Sequence, residues 1–155
     1  MISKIVKASG VSAGELVLVH FGGEDAGDGD LPCGEIYIAP VENKTNGRVF
    51  FDNFYPDEAK YTNVTLRIVN GEVTGSSHEE IARHFAQMPQ ENRIVCELGL
   101  GMNPQVTDLC GYSVPDEKMA GTFHSAVGAN HMFGGTNKAS EHVDFVGREK
   151  VEVVS

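Results

Sequence analysis

The chain has 155 residues, of which 41% are hydrophobic and 22% are charged, as is ordinary for a soluble globular protein of one domain. Its formal net charge of −10 argues against nucleic-acid binding, because phosphates favour a basic surface, and no apolar stretch is long enough to span a membrane. The N-terminus, MISKIVKASG, lacks the apolar run of a signal peptide, so we expect a cytoplasmic protein. The three cysteines form no CxxC pair, which indicates buried, reduced thiols at Cys33, Cys96 and Cys110.

The first half of the chain predicts mostly strands. In chain order, the pattern predicts a short helix at residues 2–9, a strand at Glu15–Phe21 and an acidic, glycine-rich loop at Gly22–Asp30. The segment GEIYIAPV predicts a strand that turns at NKTNGR, with Asn46-Gly47 at the apex, and returns as RVFFDNF. A second hairpin is predicted from NVTLRIV, the turn Asn70-Gly71 and EVTG.

One main helix is predicted at about 77–88. Ser77 and Glu80 match a capping box, and Pro89 ends the helix. The apolar stripe of this helix consists of Ile81, Phe85 and Met88. Further strands are predicted at RIVCEL, which a glycine-broken loop follows, and at GTFHSAVG, EHVDFV and KVEVV. The predicted fold class is α+β, mostly β, as a single domain over residues 1–155.

The segment EHVDF places two metal-capable side chains on one face of a strand. Because alternate side chains of a strand share a face, His142 and Asp144 stand side by side, while Val143 and Phe145 point into an apolar layer. A plain His–Asp hydrogen bond would also explain this pair.

Four more groups in strands or beside turns could join it: Glu35, Glu97, Glu117 and His124. Glu35 and Glu117 are also typical of solvated surface, and His124 is also typical of a satisfied core histidine. Glu97 follows a buried strand, so its carboxylate needs a partner. Three Glu, two His and one Asp form a mixed N/O set that suits Zn, Mn, Co or Fe. No phosphate loop or serine elbow competes, although a Cys–His nucleophile pair stays open.

Four segments in order carry a family resemblance: LPCGEIYIAPVENKTNGRVFF, CELGLGMNP, DEKMAGTFHSAVG and MFGGTNKASEHVDFV. Together they resemble the C-terminal, metal-binding half of the aminopeptidase T/aminopeptidase S family, which are metallopeptidases also known as leucyl aminopeptidases. The resemblance runs from about Leu31 to Val146. The large N-terminal domain of that family has no counterpart in the short segment before Glu35, so we expect the catalytic cavity to be walled differently.

The resemblance implies two divalent metal ions, Zn, Co or Mn, close together. Matched by motif, their ligands are Glu35, Glu97, Glu117, His124, His142 and Asp144. It further implies a hydrolase that removes the N-terminal residue of a peptide, in which the two ions activate a bridging water. Glu97 is expected to bridge the ions, and Glu35 is expected to be a more solvent-facing ligand or base.

Two other functions stay open. A divergent relative of this family is a ring-opening dioxygenase acting on dihydroxypyridine, with one iron held by two His and one Asp, and His124, His142 and Asp144 would supply that triad. The domain could also be a non-catalytic metal-binding or structural one. Tyr112 and His131 lie in loops beside the ligand segments and could reach the site. We expect a peptide or small-molecule substrate, no nucleic-acid or membrane partner, and a homo-oligomer that supplies the missing walls.

Overall fold

Two antiparallel β-sheets and two helices make up the described part of the chain, which comprises residues 18–20, 32, 34–56 and 59–148 of a computed structural model. The strands are β1 (Leu18–His20), β2 (Glu35–Ile38), β3 (Gly47–Phe54), β4 (Tyr61–Val69), β5 (Glu72–Ser76), β6 (Val95–Gly101), β7 (Phe123–Gly128) and β8 (His142–Gly147). The helices are α1 (Glu79–Gln87) and α2 (Ser113–Asp116), with 3-10 turns at Glu42–Lys44, Gln90–Arg93 and His131–Phe133.

The first sheet has the strand order β1-β2-β6-β7-β8, and the second has the order β3-β4-β5. All neighbouring strands are antiparallel. Helix α1 packs against β5. The predicted fold class, α+β and mostly β, is therefore confirmed. No helix in the described residues has the length and apolar character that a membrane crossing requires.

Aromatic side chains join the two sheets. Phe51 and Phe54 of β3 face Phe123 and Phe145 of the first sheet, and the rings of Phe54 and Phe145 stack with centroids 4.4 Å apart. Phe85 of α1 closes the cluster with an edge contact to Phe145. Because each buried aromatic ring removes a large apolar area from water, this cluster is the main apolar core between the sheets. It takes one face of the first sheet and leaves the other face for polar side chains.

The predicted hairpin at Asn70-Gly71 is confirmed. Strands β4 and β5 pair on either side of it, and both turn residues have positive φ, 50° at Asn70 and 82° at Gly71. Positive φ at both central positions is the requirement of a type I′ turn, which matches the twist of a hairpin.

The predicted hairpin with its apex at Asn46-Gly47 is wrong, because β2 and β3 belong to different sheets. The 3-10 turn at Glu42–Lys44 carries the chain from one sheet to the other. The side-chain oxygen of Asn46 accepts a hydrogen bond from the backbone N–H of Asn70 at 2.8 Å, so this asparagine supports the next turn. Strand β3 instead pairs with β4.

Helix α1 is two residues shorter at its start than predicted, and its capping box is wrong. The Ser77 hydroxyl accepts a hydrogen bond from the backbone N–H of Thr65 at 2.9 Å, and Glu80 accepts one from the Tyr61 hydroxyl at 3.1 Å. Both capping groups are thus engaged by β4 instead of the helix end. The apolar stripe behaves as predicted: Ile81 and Phe85 are buried and Met88 packs against the core.

Some of the remaining predicted segments lie among the described residues and others do not. Strands β2, β7 and β8 lie where the sequence predicts them, but β6 runs on through the glycines to Gly101, where a loop was predicted. Cys96 is buried as expected, whereas Cys110 is exposed, which corrects that prediction. Of the strand predicted at Glu15–Phe21, the structure describes β1. The predictions at residues 2–9, 22–30, 150–154 and Cys33 lie outside the described residues.

Adjacent phenylalanines of β3 provide a test of the core. Phe51 is 0% exposed and Phe50 is 38% exposed. We expect Phe51→Ala to lower the free energy of unfolding by about 3–5 kcal/mol, because it empties a packed site, and Phe50→Ala to cost less than about 1 kcal/mol. Urea unfolding of both variants measures the two values, and equal losses would contradict this assignment of the core.

Candidate metal centre

The polar face of the first sheet collects five of the six predicted ligands. Residues opposite one another in the sheet share a face, and the register sets Glu97 of β6 opposite Ala126 of β7, which in turn lies opposite Asp144 of β8. His124 lies two residues before Ala126 on β7, opposite Gly99, and His142 lies two residues before Asp144 on β8, opposite Gly128. Because alternate side chains of a strand share a face, both histidines lie on the face of Glu97. Glu35 of β2 lies opposite Gly101 on the same face. The alternation predicted from EHVDF is confirmed, since Phe145 points into the core.

The sixth group, Glu117, arrives from the end of α2, and the six side chains form two trios. Trio A consists of Glu35, Glu117 and His124, and trio B consists of Glu97, His142 and Asp144. Within each trio, the ligand atoms all lie within 4.8 Å of one another. Trio A is buried throughout, whereas His142 and Asp144 of trio B are partly exposed.

The carboxylate of Glu97 links the two trios. Its Oε1 lies 3.1 Å from Nε2 of His124, and its Oε2 lies 3.3 Å from Nε2 of His142. A bulge between Val95 and Glu97 shifts the register of β6 at this point, and such bulges re-aim side chains. Burial raises the pKa of Glu97, but hydrogen bonds from His124 and His142 outweigh it and leave that pKa below its ordinary value. Glu97 is thus an ionised carboxylate between two imidazoles.

Glycines of β6 make room for the site. A Cβ on Gly99 would overlap the ring of His124, and a Cβ on Gly101 would overlap the backbone carbonyl of Met119 just after α2. Glycine inside a strand often marks such a close approach. The run that predicts a loop is therefore a strand whose missing side chains admit an imidazole ring and the α2 turn.

The ring of His142 is oriented as that of a metal ligand. Its Nδ1 donates a hydrogen bond to the carbonyl of Ala129 at 2.7 Å, which directs Nε2 towards Glu97 and Asp144. Burial lowers the pKa of His142, but hydrogen bonds, first that to Asp144, raise it above its ordinary value. An ion that binds Nε2 must displace this proton.

The Cys–His pair that the sequence left open lies beside the site. Cys96 Sγ is 3.5 Å from Nδ1 of His142. Burial raises the pKa of Cys96, and the residue has no exposed surface, so its thiol is protonated and out of reach of a substrate. Cys96 is therefore a packing residue and no nucleophile.

The sequence reasoning missed Lys118. This lysine is 2% exposed, and its Nζ lies 2.6 Å from Oε1 of Glu35 and donates a second hydrogen bond to Glu117. The charged segment DEK, residues 116–118, is typical of solvated surface, and its sequence does not indicate that Lys118 is buried. The expectation of a solvent-facing Glu35 is wrong, because Glu35 is 7% exposed and Glu97 is 6% exposed. Glu35 is turned away from solvent because its carboxylate forms an ion pair with the buried Lys118.

Charges in trio A balance each other only in part. Burial, together with the charge of Asp144, raises the pKa of Glu117 to about 7 despite its hydrogen bond from Lys118. Burial lowers the pKa of Lys118, but hydrogen bonds to Glu117 and Glu35 outweigh it, and the pKa is raised. Two buried carboxylate oxygens of the two trios, Glu35 Oε2 and Asp144 Oδ1, have no hydrogen-bond partner among the described residues. Such oxygens are costly without a cation, so the donor set fits a divalent metal ion.

A cavity of about 610 Å³ opens beside trio B along β8. His142 and Asp144 form part of its wall, and Lys60, Tyr112 and Arg148 lie around it. Tyr112, which the sequence places near the site, is 75% exposed there. His131 is exposed and is not part of this wall. A small molecule in this cavity would meet trio B and not trio A.

The fold and the paired trios define a mostly-β domain with a candidate metal centre. No family model and no curated protein matches the sequence. Among solved structures, AmpT from Thermus thermophilus is 19% identical, with a TM-score of 0.65, over 85% of this chain and 38% of its own. The 2,5-dihydroxypyridine dioxygenase from Pseudomonas putida KT2440 is 21% identical, with a TM-score of 0.56, over 73% of this chain and 38% of its own. These likenesses show a related fold. This chain spans less than half the length of either protein.

Gly99 and Gly75 provide a test of the site's packing. Gly99→Ala places a methyl group against the ring of His124, whereas at Gly75 an added Cβ meets no described atom within 4 Å. We expect Gly99→Ala to cost about 1–3 kcal/mol of stability and to shift the imidazole NMR signals of His124. Gly75→Ala should leave those signals in place. Unchanged His124 signals in both variants would refute the close approach.

Proposed function

We propose that this chain is a divalent-metal-dependent hydrolase of the aminopeptidase type, which removes N-terminal residues from short peptides. The observation that carries the proposal is the Glu97 carboxylate between two imidazoles, with an accessible trio of N and O donors beside an open cavity. Two further observations support the proposal. The sequence resembles the aminopeptidase T/aminopeptidase S family, and the fold is related to that of AmpT.

Trio B would hold the catalytic ion, which is Zn, Co or Mn, and Glu97 would share its carboxylate with trio A. When bound, such an ion lowers the pKa of a coordinated water and polarises a carbonyl. The Ala129 carbonyl keeps the His142 ring in place, and the unpartnered oxygen of Asp144 is available as a ligand. Lys60 and Arg148 in the cavity wall would bind an anionic group, such as the C-terminal carboxylate of a short peptide.

Glu35 is not proposed as the catalytic base, because Lys118 binds one of its oxygens and Glu35 does not line the cavity beside trio B. Glu97 is proposed as a ligand of the ion in trio B, while its other oxygen accepts a hydrogen bond from His124. We further propose a homo-oligomer, since the described residues leave the cavity open at Tyr112. Light scattering that gives a strictly monomeric mass would contradict this assembly.

The metal content and activity of a His142→Ala variant test the function. Protein purified without chelator should contain Zn, Co or Mn and release leucine from a leucyl dipeptide. We expect His142→Ala to lose the ion of trio B and at least about 100-fold in activity, because ligand loss removes the metal chemistry. The matched control is His131→Ala, which changes an exposed histidine outside the cavity wall. Metal-replete wild type without any peptidase activity, or a fully active His142→Ala variant, would refute the proposal.

A second candidate function is a mononuclear iron dioxygenase, which the shared fold with the dihydroxypyridine dioxygenase favours. Its triad would be His124, His142 and Asp144, but the structure places His124 in trio A and the other two in trio B. Iron as the bound metal, with oxygen uptake on addition of 2,5-dihydroxypyridine, would replace the hydrolase with this candidate. Zinc or manganese without oxygen uptake would eliminate it.

A further inference from the structure

The buried ammonium group of Lys118 occupies the place that a second metal ion would need. We propose that Lys118 is the resident cation of trio A and excludes a divalent ion from it, so that the chain holds one metal ion, in trio B. This inference rests on the proposed function for the ion of trio B and specifies the number of ions that the centre takes.

The Lys118 ammonium group already binds both carboxylates of trio A. Nζ of Lys118 is 2.6 Å from Oε1 of Glu35 and also bonds to Oε1 of Glu117, so it lies between the two carboxylates of trio A. A divalent ion bound through these two oxygens would lie about 2.0–2.6 Å from them, in the space that Nζ occupies. The ammonium group therefore competes with an ion for the position between the two carboxylates. The other oxygen of Glu35 lies 3.5 Å from Nε2 of His124.

The side chain of Lys118 has no open path away from the carboxylates. Its backbone carbonyl accepts a hydrogen bond from Asn103 at 2.8 Å, and its backbone N–H donates to Pro115 at 3.3 Å. The Asp116 carboxylate beside it accepts hydrogen bonds from the backbone N–H groups of Cys110 and Gly111, which fixes the preceding loop. With 2% of its surface exposed, the side chain can reach water only if this segment opens.

Trio B differs from trio A in its ion-pair partners and in its exposure to the cavity. In trio B the charges of Glu97 and Asp144 face only the imidazole of His142 and one further histidine, and no lysine or arginine forms an ion pair with them among the described residues. Asp144 and Glu35 each keep a buried oxygen without a hydrogen-bond partner, but the lining of the cavity includes Asp144 and His142 and not Glu35. An incoming cation therefore finds an accessible site without a lysine in trio B, and in trio A a site that the Lys118 ammonium group occupies.

The number of bound ions in wild type and in Lys118→Met tests the inference. Methionine keeps most of the length of the side chain and removes the ammonium group, so the carboxylates of trio A lose their cation. Equilibrium dialysis against Mn²⁺, read by elemental mass spectrometry, should give one ion per wild-type chain and two per Lys118→Met chain. The control, Lys138→Met, removes an exposed lysine and should keep one ion. Lys118→Gln repeats the test if the methionine variant does not fold.

The outcomes separate this inference from the proposed function. Two ions in wild type would overturn the inference and leave the dinuclear hydrolase in place. No ion in wild type would overturn the inference, which requires one ion in trio B, and would also remove the function assigned to trio B. The same number of ions in wild type and in both Lys118 variants would overturn the inference whatever that number is.

Discussion

The ion-pair geometry of Glu97 is the constraint on which the rest of the site depends. One buried carboxylate faces two imidazoles from two different strands, at 3.1 Å and 3.3 Å. A buried charge is costly unless it is paired, so β6, β7 and β8 must keep their register for Glu97 to keep its partners. The bulge at the start of β6 and the glycine beneath His124 both serve that register. The sheet and the site are thus stabilised by the same contacts.

The two faces of the first sheet have separate tasks. One face packs its phenylalanines against β3 and α1, and this apolar core supplies the stability that a face of buried charges cannot. The other face carries the small residues Gly99, Gly101 and Ala126, which leave space for the carboxylate and imidazole side chains. A rigid core beneath a polar floor keeps ligand groups in place before an ion arrives, which lowers the cost of ordering them.

Sequence patterns predict the parts of this design that depend on local chemistry. The two-residue period of EHVDF predicts that His142 and Asp144 share a face, and the dipeptide Asn70-Gly71 predicts a hairpin turn. Both predictions hold because each depends only on neighbouring residues in the sequence. Non-local pairing is what the pattern misses. Asn46-Gly47 has the letters of a hairpin turn, but Asn46 binds the neighbouring turn instead. The glycines after Glu97 suggest a loop because the ring that needs their space comes from another strand. Lys118 looks like a surface residue because its partner, Glu35, lies far away in sequence.

Anomalous diffraction from crystals grown with Mn²⁺ is the most direct test of the central claim, that Glu97, His142 and Asp144 form a divalent-metal site on the polar face of the first sheet. We expect an anomalous peak within bonding distance of Nε2 of His142 and of oxygens of Glu97 and Asp144. Crystals in which Glu97 still bonds directly to both imidazoles, with no peak between them at saturating Mn²⁺, would contradict it. The three side chains would then form a buried ion-pair network and no metal centre.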